Sequence, residues 1–224
     1  MSFSELKLSG ITTGTPGKIT WGAGTVHKGL TFSSGTFNFA DSLIGATSGG
    51  NKVTITPEYH KIEVDGAIQN VKGLTIKVDE TATLETNLIE VSEEHLKTFL
   101  SAEEVNNTDI TGMTLLNCKQ ALEDSDYITN LGYVTHFLDG RAMVIIFENA
   151  LCTSGLEIDG KAKEQGVIPA TFECYASLDS PEKLPYKIYV EDEPTTSNSS
   201  GSGSGSGASG SDSGSGSGSG SGTP

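Results

Sequence analysis

The stretch GATSGGNKVT, Gly45 to Thr54, is where the residue types and spacing of this chain come nearest to chemistry. Gly45, Gly50 and Lys52 approximate G-x-x-x-x-G-K-[ST], a loop whose backbone N–H groups cradle phosphates while the lysine reaches them. Asn51 intervenes before Lys52, and Val53 stands where a metal-binding hydroxyl belongs. Context departs further. Val53 and Ile55 alternate with polar residues, so the loop leads into a strand, and the helix N-terminus that would hold phosphate is missing. Gly45–Lys52 is a glycine-rich loop outside the context of a nucleotide site.

The other reactive residue types are scattered. His27, His60, His95 and His136 form neither H-x-x-x-H nor H-E-x-x-H, so they do not read as a zinc site. Asp124 and Asp126 share EDSDY without the glycine turn and distal glutamate of a calcium loop, and read as a solvated turn. No G-x-S-x-G elbow is present. Cys152 and His136 could meet in space, but nothing in the sequence favours a nucleophilic pair over two core residues. Cys118, Cys152 and Cys174 are odd in number and lack C-x-x-C spacing, which argues against a disulfide framework. Cys174 falls on the apolar face of a predicted strand, as a buried reduced thiol. The reading is of no catalytic residue, no metal and no cofactor.

Period two dominates the elements that would position these residues. From Leu74 to Leu88 the even positions are Leu74, Ile76, Val78, Glu80, Ala82, Leu84, Thr86 and Leu88, and the odd positions between them hold nothing apolar. This predicts a strand with one dry and one wet face. It exceeds the roughly 3–10 residues of most strands, so it must bend, carry a bulge or project beyond the body. Ile168–Leu178 repeats the alternation, with Pro169 at the strand start or an edge. AMVIIF, Ala142–Phe147, is apolar on both faces and reads as a central strand. Leu131–Leu138 precedes it across an Asp139-Gly140 hairpin turn. Ser92 caps one predicted helix, in which Leu96, Phe99 and Leu100 form an apolar stripe. Lys119–Ile128 holds a second short turn or helix. The fold class is mainly β: an antiparallel sandwich or barrel with a flanking α-helix and long extended loops or a hairpin.

The chain has 224 residues and a net charge of −15. Residues 194–224 are almost entirely glycine and serine with Asp212 their only charge, so residues 1–193 carry −14, which is −15 less the −1 of Asp212. Composition assigns residues 1–193 to one folded body and 194–224 to a disordered tail or linker. An acidic body should not bind nucleic acid by neutralising phosphates. The N-terminus lacks a secretory signal pattern, and no apolar run approaches a membrane span.

IGATSGGNKVTITPEYHKIEVDGAIQNVKG, Ile44 to Gly73, resembles the signature region of siphophage-type tail tube proteins (major tail proteins). The order is a glycine-rich loop, a strand carrying Pro57-Glu58, then EVDG at Glu63–Gly66 and VKG at Val71–Gly73. Thr81–Leu100 resembles that family's long strand leading into its helix. FENALCTSGLEI, VIPATFECYASLD and LPYKIYV match the end of its body. The resemblance spans about Phe32 to Val190 with gaps, through order and spacing rather than any one chemical motif.

The resemblance implies a structural virion protein. It would self-assemble into stacked, usually hexameric, rings that form a phage tail tube, a conduit for DNA during ejection. The implied partners are other copies of itself, the tail initiator or baseplate, the tape measure and the tail terminator. DNA would pass without specific binding, with no membrane involved. The location would be the virion tail, assembled in host cytoplasm. Gly45, Thr47, Gly49, Gly50 and Lys52 become candidates for an inter-ring loop, and Glu58, Glu63, Asp79 and Glu85 for acidic lumen positions. The alternatives are the inner tube of a contractile tail, phage-like bacteriocin or secretion apparatus, and a β-sandwich surface or carbohydrate-binding module. The last would require a secretion signal or a cluster of exposed aromatics, and the sequence suggests neither. Removing residues 194–224 is expected to leave assembly intact, read by electron microscopy; loss of assembly would place those residues in an interface.

Overall fold

The computed structural model describes residues 9–66, 69–106, 110–160 and 162–193. Met1–Asp192 forms one compact unit and Glu193–Pro224 is divided from it. The predicted Gly/Ser tail lies outside the described residues. The elements run β1 Thr20–His27, β2 Thr31–Ser33, β3 Thr36–Asn38, β4 Thr47–Lys61, β5 Thr75–Leu88, α1 Glu93–Leu100, β6 Ala102–Val105 and β7 Leu115–Cys118. They continue with β8 Ile128–Phe137, β9 Ala142–Cys152, β10 Ile168–Cys174 and β11 Tyr186–Val190. Every strand pairing is antiparallel.

The main sheet has the order β1-β8-β9-β10-β5-β4, and β11 also pairs with β9. It curls into an open half-barrel. The choice between sandwich and barrel therefore resolves into one curled sheet, with β2–β3 and β6–β7 as separate small hairpins. The concave side holds the main core, including Leu84, Leu88, Phe147, Ile168, Ala170 and Phe172, and Phe99 of α1 packs into it. The helix forms where Ser92 predicts it: Ser92 Oγ accepts the His95 N–H at 3.1 Å. A second cluster of Leu30, Val134, Val144 and Ile146, covered by Phe37, packs on the other side of β8 and β9. Two-sided packing explains why AMVIIF has no polar face.

The ends of the curl, β1 and β4, meet without a continuous ladder. Val26 and Lys28 exchange backbone bonds with Ser42 and Ile44, just before β4. Further along, Asn51 Nδ2 donates to Ala23 O at 3.0 Å and to Gly24 O at 3.2 Å, while Thr86 Oγ1 donates to Asn51 Oδ1 at 2.6 Å. Those carbonyls are available because β1 bulges between Trp21 and Thr25. Gly24 lets the bulge lie close against β8: a Cβ there would stand 2.5 Å from the Tyr133 ring, at a φ of +69°.

The strict even face predicted for β5 needs correction. Glu58 pairs with Asp79 but Tyr59 pairs with Lys77, so Val78 is an extra residue in β5. A one-residue bulge reverses which side chains share a face. Glu80, Ala82, Leu84, Thr86 and Leu88 share the concave face, whereas Ile76 crosses to the other and Lys77 turns to the concave one. That reversal brings the Lys77 ammonium to Glu80 at 2.6 Å, and Tyr186 Oη donates to the same carboxylate at 2.9 Å. The Lys77 ammonium, seconded by Tyr186, holds the Glu80 carboxyl below the usual carboxylate range. β10 is also shorter than the Ile168–Leu178 alternation, ending at Cys174.

The seam makes the first prediction drawn from the fold. Thr86 is only 2% exposed, so Asn51→Ala strands a buried hydroxyl and is expected to cost about 1–3 kcal/mol in denaturant unfolding. Asn51→Asp, which cannot donate to the two carbonyls, should cost more. Equal, near-zero costs would show that the seam does not hold the curl.

Candidate functional site

The predicted loop Gly45–Lys52 is largely strand. Thr47, Gly49, Gly50 and Lys52 belong to β4, where Thr47 pairs with Leu88, Asn51 with Thr86 and Lys52 with Glu85. The register slips between Thr47 and Asn51, so the segment is a bulge at the start of β4, with φ of +87° at Gly49 and +88° at Gly50. Such angles suit glycine and strain other residues. Gly45 does not face outward: a Cβ there would lie 3.2 Å from the Glu90 carboxylate and 3.3 Å from the His95 ring. A Cβ at Gly50 would meet nothing within 4 Å. The segment continues as strand, and Lys52 Nζ is bonded to Glu85 Oε1 at 2.7 Å.

The four acidic candidates separate into three situations. Glu85 is bound by Lys52 across the ladder. Glu58 and Asp79 are exposed and directly opposite each other, a like-charge pair that works against the ladder. Glu63 is not on a strand: β4 ends at Lys61, and Glu63 lies beyond it towards Asp65-Gly66. The convex face across β4 and β5 carries Lys52, Thr54, Thr56 and Glu58 opposite Glu85, Thr83, Thr81 and Asp79. Thr171 and Glu173 extend it onto β10, opposite Glu85 and Thr83. It is a hydroxyl-rich face with more acidic than basic groups.

Over the outer half of the β4–β5 hairpin, β4 is the only strand that pairs with β5 among the described residues. β10 pairs with β5 only from Thr83 to Leu88. From Thr75 to Ala82 that edge of β5 faces no strand of the described residues, a length of about 25 Å at 3.3 Å per residue. Tyr59, Ile62, Val64, Val71, Ile76 and Val78 on this arm are each about half exposed. These half-exposed apolar side chains lie beside a strand edge that pairs with no strand of the described residues.

The other sequence candidates do not converge. His136 pairs with Ala142 at one end of β9 and Cys152 ends the other, about 33 Å along the strand. Asp126 is claimed by Lys119 Nζ at 2.9 Å, which also holds Glu123 at 2.8 Å. The Cys174 thiol donates to Pro185 O at 3.1 Å, and burial pushes it up to about 11. Among the described residues no group of three His, Cys, Asp or Glu side chains is placed to hold a metal. Sequence reasoning missed an aromatic cluster: Phe37 lies 6.0 Å from Phe32, 6.1 Å from Phe39 and 5.3 Å from Tyr189, with Phe32 the most exposed of these rings. The crowding of Phe32, Phe37 and Phe39 within eight residues was its only signal.

The sequence matches no protein-family model, and no curated protein matches it.

The bulge makes the second prediction. Gly50→Val should retain the circular dichroism of the single subunit and cost roughly 1–3 kcal/mol through its positive φ. Lys52→Ala removes an exposed ion pair worth about 0–1 kcal/mol. Calorimetry is expected to show no ATP or GTP binding. Micromolar nucleotide affinity that disappears in Lys52→Ala would restore the phosphate-loop reading.

Proposed function

We propose that this chain is a ring-forming subunit of a hollow tail-type tube. The observation that carries the reading is the β4–β5 arm, whose outer β5 edge pairs with no strand among the described residues and which bears six half-exposed apolar residues. An unpaired edge is a template for another strand, and a ring of identical copies removes every edge through one repeated head-to-tail contact. The tail-tube resemblance supplies the rest of the proposal. Rings, six-membered in that family, would stack into a conduit for DNA, with the Ser48–Gly50 bulge as the inter-ring contact. The hydroxyl-rich convex face with Glu58 and Asp79 is the lumen candidate, because a face without excess cations does not hold a polyanion through counterion release. The same arm serves the inner tube of a contractile tail, bacteriocin or secretion apparatus equally well; those assemblies differ in a surrounding sheath.

A binding module is the second reading, favoured by the aromatic cluster at Phe32, Phe37, Phe39 and Tyr189. Exposed rings can stack on sugars, although Phe37 already covers the Leu30 cluster.

The third prediction separates these readings. Negative-stain electron microscopy of concentrated protein, alone and with a tail initiator complex, is expected to show rings or tubes. Val78→Asp and Tyr59→Asp should abolish them while keeping the folded subunit, since both side chains are more exposed than buried. Strictly monomeric protein under both conditions, with glycan binding lost in Phe32→Ala, would replace the tube by the binding module.

A further inference from the structure

One lane of the main sheet is bonded on both sides for only part of its length. β9 pairs with β8 along one edge, and β10 and β11 share the other, with Cys174 opposite Ala150 and Tyr186 opposite Phe147. Tyr175 N–H donates to Asn149 O at 2.8 Å and Glu148 N–H to Pro185 O at 2.7 Å, so β11 resumes the lane where β10 leaves it. β10 is bonded by both β9 and β5, whereas β9 is the only strand that pairs with β11 among the described residues. The outer edge of β11 and residues 75–82 of β5 therefore border a notch with no strand of the described residues between them. Tyr186 Oη, bonded to Glu80 at 2.9 Å, spans it. At its head lies a cleft of about 550 Å³, lined by residues 77–81 on one wall and by residues 173–176 and 181–185 on the other.

We propose that this notch is the docking site of residues 1–8 of the same chain, MSFSELKL, added as a strand between β11 and β5. Position is the first argument. Arg141 donates to Gly17 O and, at 3.1 Å, to Glu191 O, which brings the segment ahead of β1 against the residue that follows β11. Entering from the Val190 end, residues 1–8 run parallel to β11 and antiparallel to β5. Length is the second. Met143 lies opposite Val190 and Leu151 opposite Glu173, so the lane from one to the other is 151 − 143 = 8 steps long, about 26 Å at 3.3 Å per residue. Eight extended residues cover that length. Pattern is the third. Ser4, Leu6 and Leu8 alternate with Phe3, Glu5 and Lys7, the period of a strand with one apolar face.

The walls of the notch match that pattern. Ile188 and Val190 stand opposite Ile145 of the core and Met143 packed against it, yet both are half exposed. They offer apolar neighbours to Leu6 and Leu8. In the cleft, Lys77 is paired with Glu80, which leaves the carboxylates of Asp79, Glu173 and Glu182 against Lys183. An acidic cleft of this kind disfavours the continuation of β11, which begins Glu191-Asp192-Glu193, and residues 194–224 offer no apolar alternation. Residues 1–8 carry one acid and one base. A strand in this lane pairs with backbone groups on both sides at once, where a strand added to an open edge pairs on one. On the ring-forming reading, a neighbouring copy then reaches the β5 edge only by displacing this segment, which covers the edge of an unassembled chain.

The test is native-state amide hydrogen exchange of the full chain, at a concentration where sedimentation shows a monomer, beside the double variant Leu6→Asp, Leu8→Asp. In the wild type, amides of residues 3–8 should exchange at least about tenfold more slowly than in a synthetic MSFSELKL peptide. In the variant these amides, and the β5 amides of residues 75–82 that face away from β4, should speed up by a similar factor. Residues 83–88, held by β10, should not change. Adding the wild-type peptide to the variant should slow the β5 amides again. Peptide-like exchange of residues 3–8 in the wild type overturns the docking, as does β5 exchange that the variant leaves unaltered. Protection that falls on dilution overturns the assignment to the same chain and gives the notch to a strand exchanged between copies. Should the variant not fold, the wild-type chain measured against the free peptide decides. The monomer is what is measured, so the outcome is independent of whether rings form.

Discussion

β5 is bonded on both edges for only half of its length, and much of the structure follows from where that support stops. From Thr83 to Leu88 it lies between β4 and β10, with Leu84 and Leu88 in the core. Below Thr83 only β4 remains. A two-stranded ribbon twists more strongly than a wide sheet and is marginal alone in water. The Val78 bulge falls in this singly supported stretch. It turns Lys77 towards Glu80 at the boundary between sheet and arm, so the first charged residue on the concave face has a partner. Without that reversal Glu80 would extend the dry face with a carboxylate bonded by Tyr186 but lacking a counter-charge, which burial penalises.

The curl poses a related problem at its other end. β1 and β4 must approach closely enough to enclose the core, yet β1 is glycine-rich and mostly exposed. The solution is a side chain in place of a ladder. Asn51 supplies two donors to the carbonyls of the β1 bulge and one acceptor to Thr86, whose buried hydroxyl would otherwise lack a partner. The residue that spoils the phosphate-loop pattern therefore joins the two ends of the sheet beyond the backbone bonds of Val26 and Lys28 with Ser42 and Ile44. Its neighbours Gly49 and Gly50 are needed for their backbone angles, which let β4 change register with β5 before the regular ladder begins.

Legibility in the sequence tracked features that residue type reports locally. The alternation from Ala82 to Leu88, the two-sided AMVIIF strand, the Asp139-Gly140 hairpin and the Ser92 cap could all be read, because each leaves a local signature in residue type. The bulge at Val78 could not, since Val78 and Ile76 continue the apolar alternation after the faces have reversed. β1 escaped for the opposite reason: WGAGTVH shows little periodicity because most of it faces solvent. The acidic candidates were legible as charges but not as neighbours. Pairing Lys52 with Glu85 depends on a register set by the bulge before it. His95 was invisible as a bridging group because Ile44 is 51 positions away and contributes only its backbone.

The arm's two kinds of surface bear on what an assembly would require. Its backbone edge offers directional bonds, which fix register but contribute only about 0.5–1.5 kcal/mol each once exchanged with water. Its apolar side chains offer burial, which is stronger but does not specify register. A contact using both gains affinity from Tyr59, Ile76 and Val78 and alignment from the free β5 edge. The like-charge pair Glu58 and Asp79 then acts against indiscriminate pairing. It destabilises the isolated ribbon and disfavours close approach by another acidic strand, while leaving room for a neighbour that presents a cation or stays clear of that face. On the proposed reading, this is how an acidic chain with a long exposed edge can favour one closed arrangement over open-ended aggregation.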